Sequence, residues 1–145
     1  MKVFTIGFTK KSAAAFFQIL KDAGIKRLVD VRLNNISQLA GFTKRDDLAY
    51  FLKEICGAEY IHEPLLAPTQ EMLDRYKKNK GDWAEYRVKF LKLLCERKVE
   101  NELPPDLFSV PSVLLCSEPT AENCHRSLVL DYLQNRWGQI EAIHL

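Results

Sequence analysis

Short apolar segments alternate along the chain with longer amphipathic ones. The apolar segments have the composition of β-strands and cover residues 2–7, 28–32, 58–62, 113–116 and 140–144. Between them, apolar residues recur at helical spacing, as Phe16, Ile19, Leu20 and Ala23 do. Strands that alternate with helices predict a parallel sheet covered by helices on both faces. We therefore predict one domain over residues 1–145, with a three-layer α/β/α, Rossmann-like open sheet of about five strands, mostly parallel.

Capping residues predict where the helices begin and end. Ser12 and Asp82 each precede a helical pattern, where a side-chain oxygen can accept a hydrogen bond from the first turn. Gly24 and Gly57 each follow one, where a left-handed residue ends a helix. Residues 64–82 are the least regular part of the chain, and a short helix is predicted there over residues 69–76. We interpret this segment as a lid or an edge insertion.

Composition and charge leave several functional classes open. A net charge of +2 on 145 residues is ordinary for a globular domain and neither requires nor excludes a nucleic-acid partner. Of the four cysteines, Cys56 and Cys95 lie in helical patterns, and we expect them to be buried. We find no Cys-x-x-Cys pair and no membrane-length apolar run, and we expect no signal peptide. The predicted location is the reducing cytoplasm, without a membrane partner, and the oligomeric state is left open.

Three predicted strands end in residues that can do chemistry. The first ends at Gly7 and leads to Thr9, the second ends with Asp30 and Arg32, and the fourth ends at Cys116. In an open parallel sheet, ligands bind beyond the carboxyl ends of the strands. If the first and fourth strands are neighbours, these ends converge on one crevice. The helices that follow direct N–H groups and partial positive charge there, which suits an anion.

Four short motifs in the chain resemble those of a known family. They are Thr-Ile-Gly-Phe-Thr at 5–9, Leu-Val-Asp-Val-Arg at 28–32, Cys-Ser-Glu at 116–118 and Cys-His-Arg-Ser at 124–127. In this order they resemble the T-I-G-H-S, L-V-D-V-R, C-x-E and C-H-R-S motifs of the domain of unknown function 488 (DUF488) family. The chain differs at Phe8, where the family usually has histidine, and at 33–36, where relatives often have several arginines and a proline. The resemblance implies a fold and a site, but no reaction.

The loop over residues 116–126 is the centre of the predicted site. It holds two thiols, an imidazole, a guanidinium and two carboxylates, and a thiol near a helix start is an activated nucleophile. The candidate catalytic residues are Cys124, His125 and Glu118, and the candidate ligand-binding residues are Thr9, Arg32, Cys116 and Arg126. The predicted ligand is small and anionic, either phosphorylated or nucleotide-like. A phosphotyrosine-type phosphatase does not fit, because no arginine stands six residues after either cysteine. Whether a reaction occurs is left open.

Metal binding is a second interpretation of this loop. Cys116, Cys124 and His125 could supply three ligands, with Glu118 or His144 as a fourth. Against this, the spacing is not that of a zinc finger, and adjacent residues on a helix point about 100° apart. We therefore assign no metal. The two thiols could also form a reversible disulfide if their Cα atoms lie within about 7 Å, or they could simply pack in the core.

The third interpretation is a non-catalytic module that binds nucleic acid or a nucleotide. Lys10, Arg32, Lys44, Arg45 and Arg126 could line one basic face. The balanced charge and the lack of interleaved aromatic and basic residues weigh against it. A Gly-x-Gly-x-x-Gly loop is absent from the sequence, which argues against a dinucleotide, and we assign no cofactor.

Overall fold

All five predicted strands form close to their predicted bounds. A computed structural model describes residues 1–36, 41–78, 82–116 and 124–145. In chain order the strands are β1 (Lys2–Gly7), β2 (Arg27–Asp30), β3 (Glu59–His62), β4 (Ser112–Cys116) and β5 (Glu141–His144). They make one sheet in the order β3-β2-β4-β1-β5, in which each neighbouring pair is parallel. The predicted fold class is confirmed, and the pairing among the described residues is wholly parallel.

The helices lie between the strands, as the alternating pattern predicts. They are α1 (Ala13–Asp22), α2 (Arg45–Phe51), α3 (Gln70–Leu73), α4 (Trp83–Arg97), α5 (Val99–Glu102) and α6 (His125–Trp137). α2 continues as a π-helical turn, Leu52–Cys56, and α3 continues as another, Asp74–Lys78. Within the described part of the chain, every helix is too short or too polar to cross a membrane.

Side chains that alternate along the strands build a separate apolar core on each face of the sheet. Val29 and Leu114 face α4, α5 and α6, whereas Leu28 and Val113 face α1 and α2. The central strands are buried on both faces, which explains why their sequences are apolar runs rather than alternating patterns. The same alternation decides on which face each polar residue at a strand end lies.

The predicted capping residues are confirmed by their hydrogen bonds. The Ser12 hydroxyl accepts from the backbone N–H of Ala15, and the Asp82 carboxylate accepts from that of Ala84. Gly57 ends the turn that follows α2 with φ of +62°, a left-handed conformation that costs glycine little because it has no Cβ. These local signals fix where the chain leaves each helix and enters the next strand.

The start of the segment 64–82 packs onto the domain through its backbone. It contains a 3-10 turn, Pro64–Leu66, and α3, which confirms the short helix predicted there. The Arg97 guanidinium, near the end of α4, donates to the carbonyls of Leu65 at 2.8 Å and Ala67 at 2.7 Å. These bonds tie the start of the segment to α4. Its role as a lid or an edge insertion stays a prediction.

The expected burial of two cysteines is wrong for one of them and partly right for the other. Cys95 is exposed, and Cys56 is half-buried. The inward face of α4 carries Tyr86, Phe90 and Leu94, which recur at four-residue spacing. Cys95 follows Leu94 directly, so it lies about 100° around the helix and outside the buried stripe.

Candidate functional site at the carboxyl edge of the sheet

The sheet order brings the predicted site residues to one edge. β4 lies between β1 and β2, with Gly7 opposite Cys116 and Asp30 opposite Leu115. The carboxyl ends of these three strands therefore stand side by side, as the sequence predicts for neighbouring first and fourth strands. α6 begins at the same edge, one residue after Cys124.

Two sulfurs and an imidazole meet where β4 ends and α6 begins. The Sγ atoms of Cys116 and Cys124 are in direct contact, and both side chains are buried. The two Cα atoms are 7.7 Å apart, beyond the span of about 7 Å that a disulfide bridges without backbone movement. The sulfurs are nevertheless close enough to be joined, so a reversible disulfide between these two cysteines stays a prediction. One donor atom each from Cys116, Cys124 and His125 lie within 4.8 Å of one another, so these residues could hold a metal ion.

Arg126 is fully buried and runs along the ends of the strands. Its Nε donates to the Thr5 hydroxyl at 3.2 Å, and its Nη1 donates to the Cys116 sulfur at 3.1 Å. A guanidinium next to a thiol favours the thiolate, because the positive charge stabilises the sulfur anion. The two sulfurs thus lie next to both a permanent cation and the positive end of α6.

Other basic groups surround Arg126. Burial, and then the charge of Arg126, lower the pKa of the Lys11 amine, which places that amine in the field of the guanidinium. Burial and the Arg126 charge likewise lower the pKa of His144, while Asp131 opposes this shift. His144 Nδ1 lies 2.5 Å from the Thr5 hydroxyl. Thr5 accepts from Arg126, and its hydroxyl can donate to Nδ1 of the neutral imidazole when the ring hydrogen lies on Nε2.

Arg32 has a different environment from Arg126. Its Nε and Nη2 donate to the two carboxylate oxygens of Asp30, each at 2.8 Å, and its Nη2 also donates to the Thr43 carbonyl at 2.7 Å. The Tyr60 hydroxyl donates to Asp30 at 2.6 Å and accepts from the Asn35 amide at 3.1 Å. Because Asp30 alternates with Val29 and Val31, this network faces α2, on the opposite side of the sheet from Cys116.

Two histidines hold the backbone that follows β2. Nε2 of His125 lies 2.9 Å from the Val31 carbonyl, and Nε2 of His62 lies 2.9 Å from the Arg32 carbonyl. A carbonyl can only accept, so each Nε2 carries a hydrogen, and in a neutral imidazole the lone pair is then on Nδ1. The tautomer of His125 is thereby set by its contact with the β2 end.

Two predicted site residues, Thr9 and Glu118, do not contribute to the contacts described so far. Thr9 is half-buried in the turn that follows β1. Glu118 lies outside the described residues. The structure thus brings Cys116, Cys124, His125 and Arg126 together, and it places Arg32 at the same edge but in a separate network.

The family model described as "Domain of unknown function DUF488" matches residues 12–133. The chain belongs to the DUF488 family. The suspected resemblance is confirmed, and the match includes the motifs at β2, β4 and the start of α6. No curated protein and no solved structure matched this DUF488 chain in the same comparisons.

Sequence reasoning missed several groups at this edge of the DUF488 fold. Thr5, Lys11 and Tyr60 were not singled out, although each contacts or flanks a buried arginine. A signal existed for Thr5, because β1 is an interior strand, and a hydroxyl in a strand buried on both faces needs a partner. Lys11 and Tyr60 carried no such signal, since long side chains can reach in many directions.

A groove of about 540 Å³ lies beside the segment 70–78 and α4, away from this edge. A row of aromatic rings, Tyr76, Trp83, Tyr86 and Phe90, leads from it to the His125 ring, with centroids 5.6 Å apart at the Phe90–His125 contact. Phe90 is fully buried, so the row is a packed wall rather than a passage. The groove contains none of the predicted site residues.

Proposed function

We propose that this DUF488 protein binds a small anionic ligand, phosphorylated or nucleotide-like, at the carboxyl edge of its sheet. The observation that carries the proposal is the gathering of positive charge there. Arg126 is buried at the strand ends, and burial, followed by the charge of Arg126, lowers the pKa of the nearby Lys11 amine. An anion bound at this edge would interact favourably with both cations.

Helix α6 adds a second attraction for an anion. It has thirteen residues and begins directly after Cys124, whose side chain makes no capping hydrogen bond. The partial positive charge of its first turn therefore adds to the charges of Lys11 and Arg126. In this proposal Thr9 and Lys11 bind the ligand from the β1 side.

Cys124, His125 and Glu118 are the groups proposed to act on such a ligand. The guanidinium and the start of α6 favour a thiolate among the two sulfurs, which is the form that attacks an electrophile. Arg32 contributes its charge to the edge but keeps its bonds to Asp30 and to the Thr43 carbonyl. The segment 64–82 keeps its proposed role as a lid or an edge element.

Calorimetric titration with inorganic phosphate and with adenosine monophosphate tests the proposal. We expect binding, and we expect Lys11→Gln to weaken it by about tenfold or more, because a charge-assisted hydrogen bond contributes about 1.5–3 kcal/mol. Lys53→Gln is the matched control, since this exposed lysine lies in the turn after α2, far from the edge. Absence of binding, or equal weakening by both variants, would contradict the proposal.

The nucleic-acid alternative gives a different outcome in the same experiment. A single-stranded or duplex oligonucleotide would bind with an affinity that falls steeply as salt rises, since binding would release condensed counterions. A mononucleotide-sized ligand makes few such contacts, so its affinity changes less with salt. A steep salt slope together with no phosphate binding would favour the alternative.

A further inference from the structure

We infer that Cys116, Cys124 and His125 form a binding site for a transition-metal ion of the zinc type. One donor atom from each residue lies within 4.8 Å of the other two, and the two sulfurs are in direct contact. Two thiolates and one imidazole form a known donor set for zinc. In such sites the three protein ligands leave the fourth position open. This inference goes beyond anion binding and does not depend on it.

The local backbone removes the main sequence argument against a metal. That argument held that adjacent helical residues point about 100° apart. Cys124 is the residue before α6, with φ of −127° and ψ of 140°, so its backbone is extended rather than helical. The 100° separation of adjacent helical residues therefore does not apply to its side chain, which turns toward Cys116, while His125 begins the helix.

The separation of the two cysteines also fits a shared ion. Their Cα atoms are 7.7 Å apart, too far for an unstrained disulfide. Tetrahedral bonds of about 2.3 Å from zinc to sulfur would hold the sulfurs about 3.8 Å apart, which suits a longer Cα separation. Modest side-chain rotations would bring the sulfurs to that distance.

Neighbouring groups orient and balance these three ligands. His125 donates from Nε2 to the Val31 carbonyl at 2.9 Å, so in the neutral ring Nδ1 is the nitrogen whose lone pair could bind a metal. A metal-bound histidine usually makes this kind of bond through its other nitrogen. Arg126 donates to the Cys116 sulfur at 3.1 Å, which stabilises a thiolate ligand.

Elemental analysis and cobalt spectroscopy test the site in the unmodified protein. Protein that is purified without chelators or a metal-affinity tag and then dialysed against zinc should retain one zinc per chain. Replacement by Co²⁺ should give the intense d–d bands of tetrahedral cobalt and a sulfur-to-cobalt charge-transfer band. A chain that retains no zinc and gives no charge-transfer band would overturn the inference. A native mass two hydrogens lower, with Cys116 and Cys124 joined in the peptide map, would overturn it as well.

Two variants and a matched control sharpen the test. Cys124→Ser and His125→Gln should each weaken Co²⁺ binding by more than about 100-fold, because even changes outside the ligand set cost 10–100-fold. Cys95→Ser removes an exposed thiol from α4 and should leave the cobalt spectrum unchanged. Loss of the spectrum in the control, or its persistence in both variants, would place the metal elsewhere. Because these spectra are recorded without phosphate, absence of the cobalt bands is distinguishable from absence of anion binding.

Discussion

Two buried arginines lie at the carboxyl edge of the sheet, on opposite faces and with different partners. Arg32 faces α2 and makes a two-pronged ion pair with Asp30, which is itself fully buried. Arg126 lies in the first turn of α6 and contacts the Thr5 hydroxyl and the Cys116 sulfur. The first guanidinium meets a carboxylate, whereas the described bonds of the second go to a hydroxyl and a sulfur.

We propose that this difference separates an arginine with a mainly structural role, Arg32, from one that binds a ligand, Arg126. Inside a protein, an ion pair with good geometry is stable as long as both partners are present. Arg32 and Asp30 meet that condition, and Tyr60 strengthens it through a further bond to the carboxylate. Arg126 instead supplies positive charge next to two thiols and Lys11, where a thiolate, a metal-thiolate group or a bound anion gains from it.

The largest expected effect is the loss of stability when Arg32 is replaced. Arg32→Met leaves the Asp30 carboxylate buried without its partner, so the free energy of unfolding should fall by about 3–5 kcal/mol. Urea denaturation measures this change. The double variant Asp30→Asn with Arg32→Met should lose less than the sum of the two single variants, because the charges are removed together. Strict additivity would show that the two side chains are not coupled.

Removal of the Tyr60 hydroxyl should have the next largest effect. Tyr60→Phe deletes the 2.6 Å bond to Asp30, and a hydrogen bond to a charged group contributes about 1.5–3 kcal/mol. Burial, and then the bond to Asp30, raise the pKa of Tyr60 above 10.0, so folding favours the neutral phenol. The resulting stability is complete below pH 10.0 and is lost as the pH rises further.

Denaturation of Tyr60→Phe across alkaline pH checks both parts of this prediction. The variant should be less stable than the parent near neutrality, and part of the alkaline decline should disappear. Tyr50→Phe is the control, because this tyrosine is exposed on α2. An alkaline profile of Tyr60→Phe identical to that of the parent would contradict the role given to Tyr60.

Replacement of Arg126 should reduce binding more than stability. Arg126→Met should weaken phosphate binding by about tenfold or more, while it should cost less unfolding free energy than Arg32→Met, because its described bonds go to a hydroxyl and a sulfur, whereas loss of Arg32 strands the buried Asp30 carboxylate. Paired calorimetry and urea denaturation measure the two quantities. If Arg126→Met binds phosphate as the parent does but unfolds as readily as Arg32→Met, the contrast between the two arginines is wrong.

The smallest expected effect concerns His144. Burial, and then the Arg126 charge, lower its pKa below 6.5, so folding favours the neutral imidazole. Because the unfolded chain then binds more protons, stability should fall as the pH drops through 6.5. His144→Gln should flatten this part of the profile, as seen by thermal unfolding between neutral and mildly acidic pH. An unchanged slope of stability against pH in His144→Gln would show that other groups determine this dependence.

The fold was predictable because its signals are local. Apolar runs predicted each strand, and Ser12 and Asp82 predicted helix starts that their hydrogen bonds confirm. The meeting of Gly7 and Cys116 followed from one assumption about strand order, which the pairing of β1 with β4 confirms. These inferences depend on periodicity and capping, which each stretch of sequence carries by itself.

The partners of the site residues were less predictable, because they depend on long side chains and on tertiary packing. The guanidinium of Arg32 could have pointed toward the Cys116 loop, but it bonds to Asp30 two residues earlier and to the Thr43 carbonyl. The objection to a shared metal assumed a helical Cys124, whereas its backbone is extended. Neither fact is visible in the spacing of residues.

The position of β4 between β1 and β2 has a consequence for the order of folding. The Arg32 network uses Asp30, Thr43 and Tyr60, which follow one another closely along the chain. The surroundings of Arg126 combine β1 with strands and a helix from the last third of the chain. Contacts between distant segments form slowly, because a long loop must close first. The Arg32 network can therefore form within residues 30–60, whereas the contacts of Arg126 wait for the last third of the chain, as do both faces of the sheet where β4 joins β1 to β2.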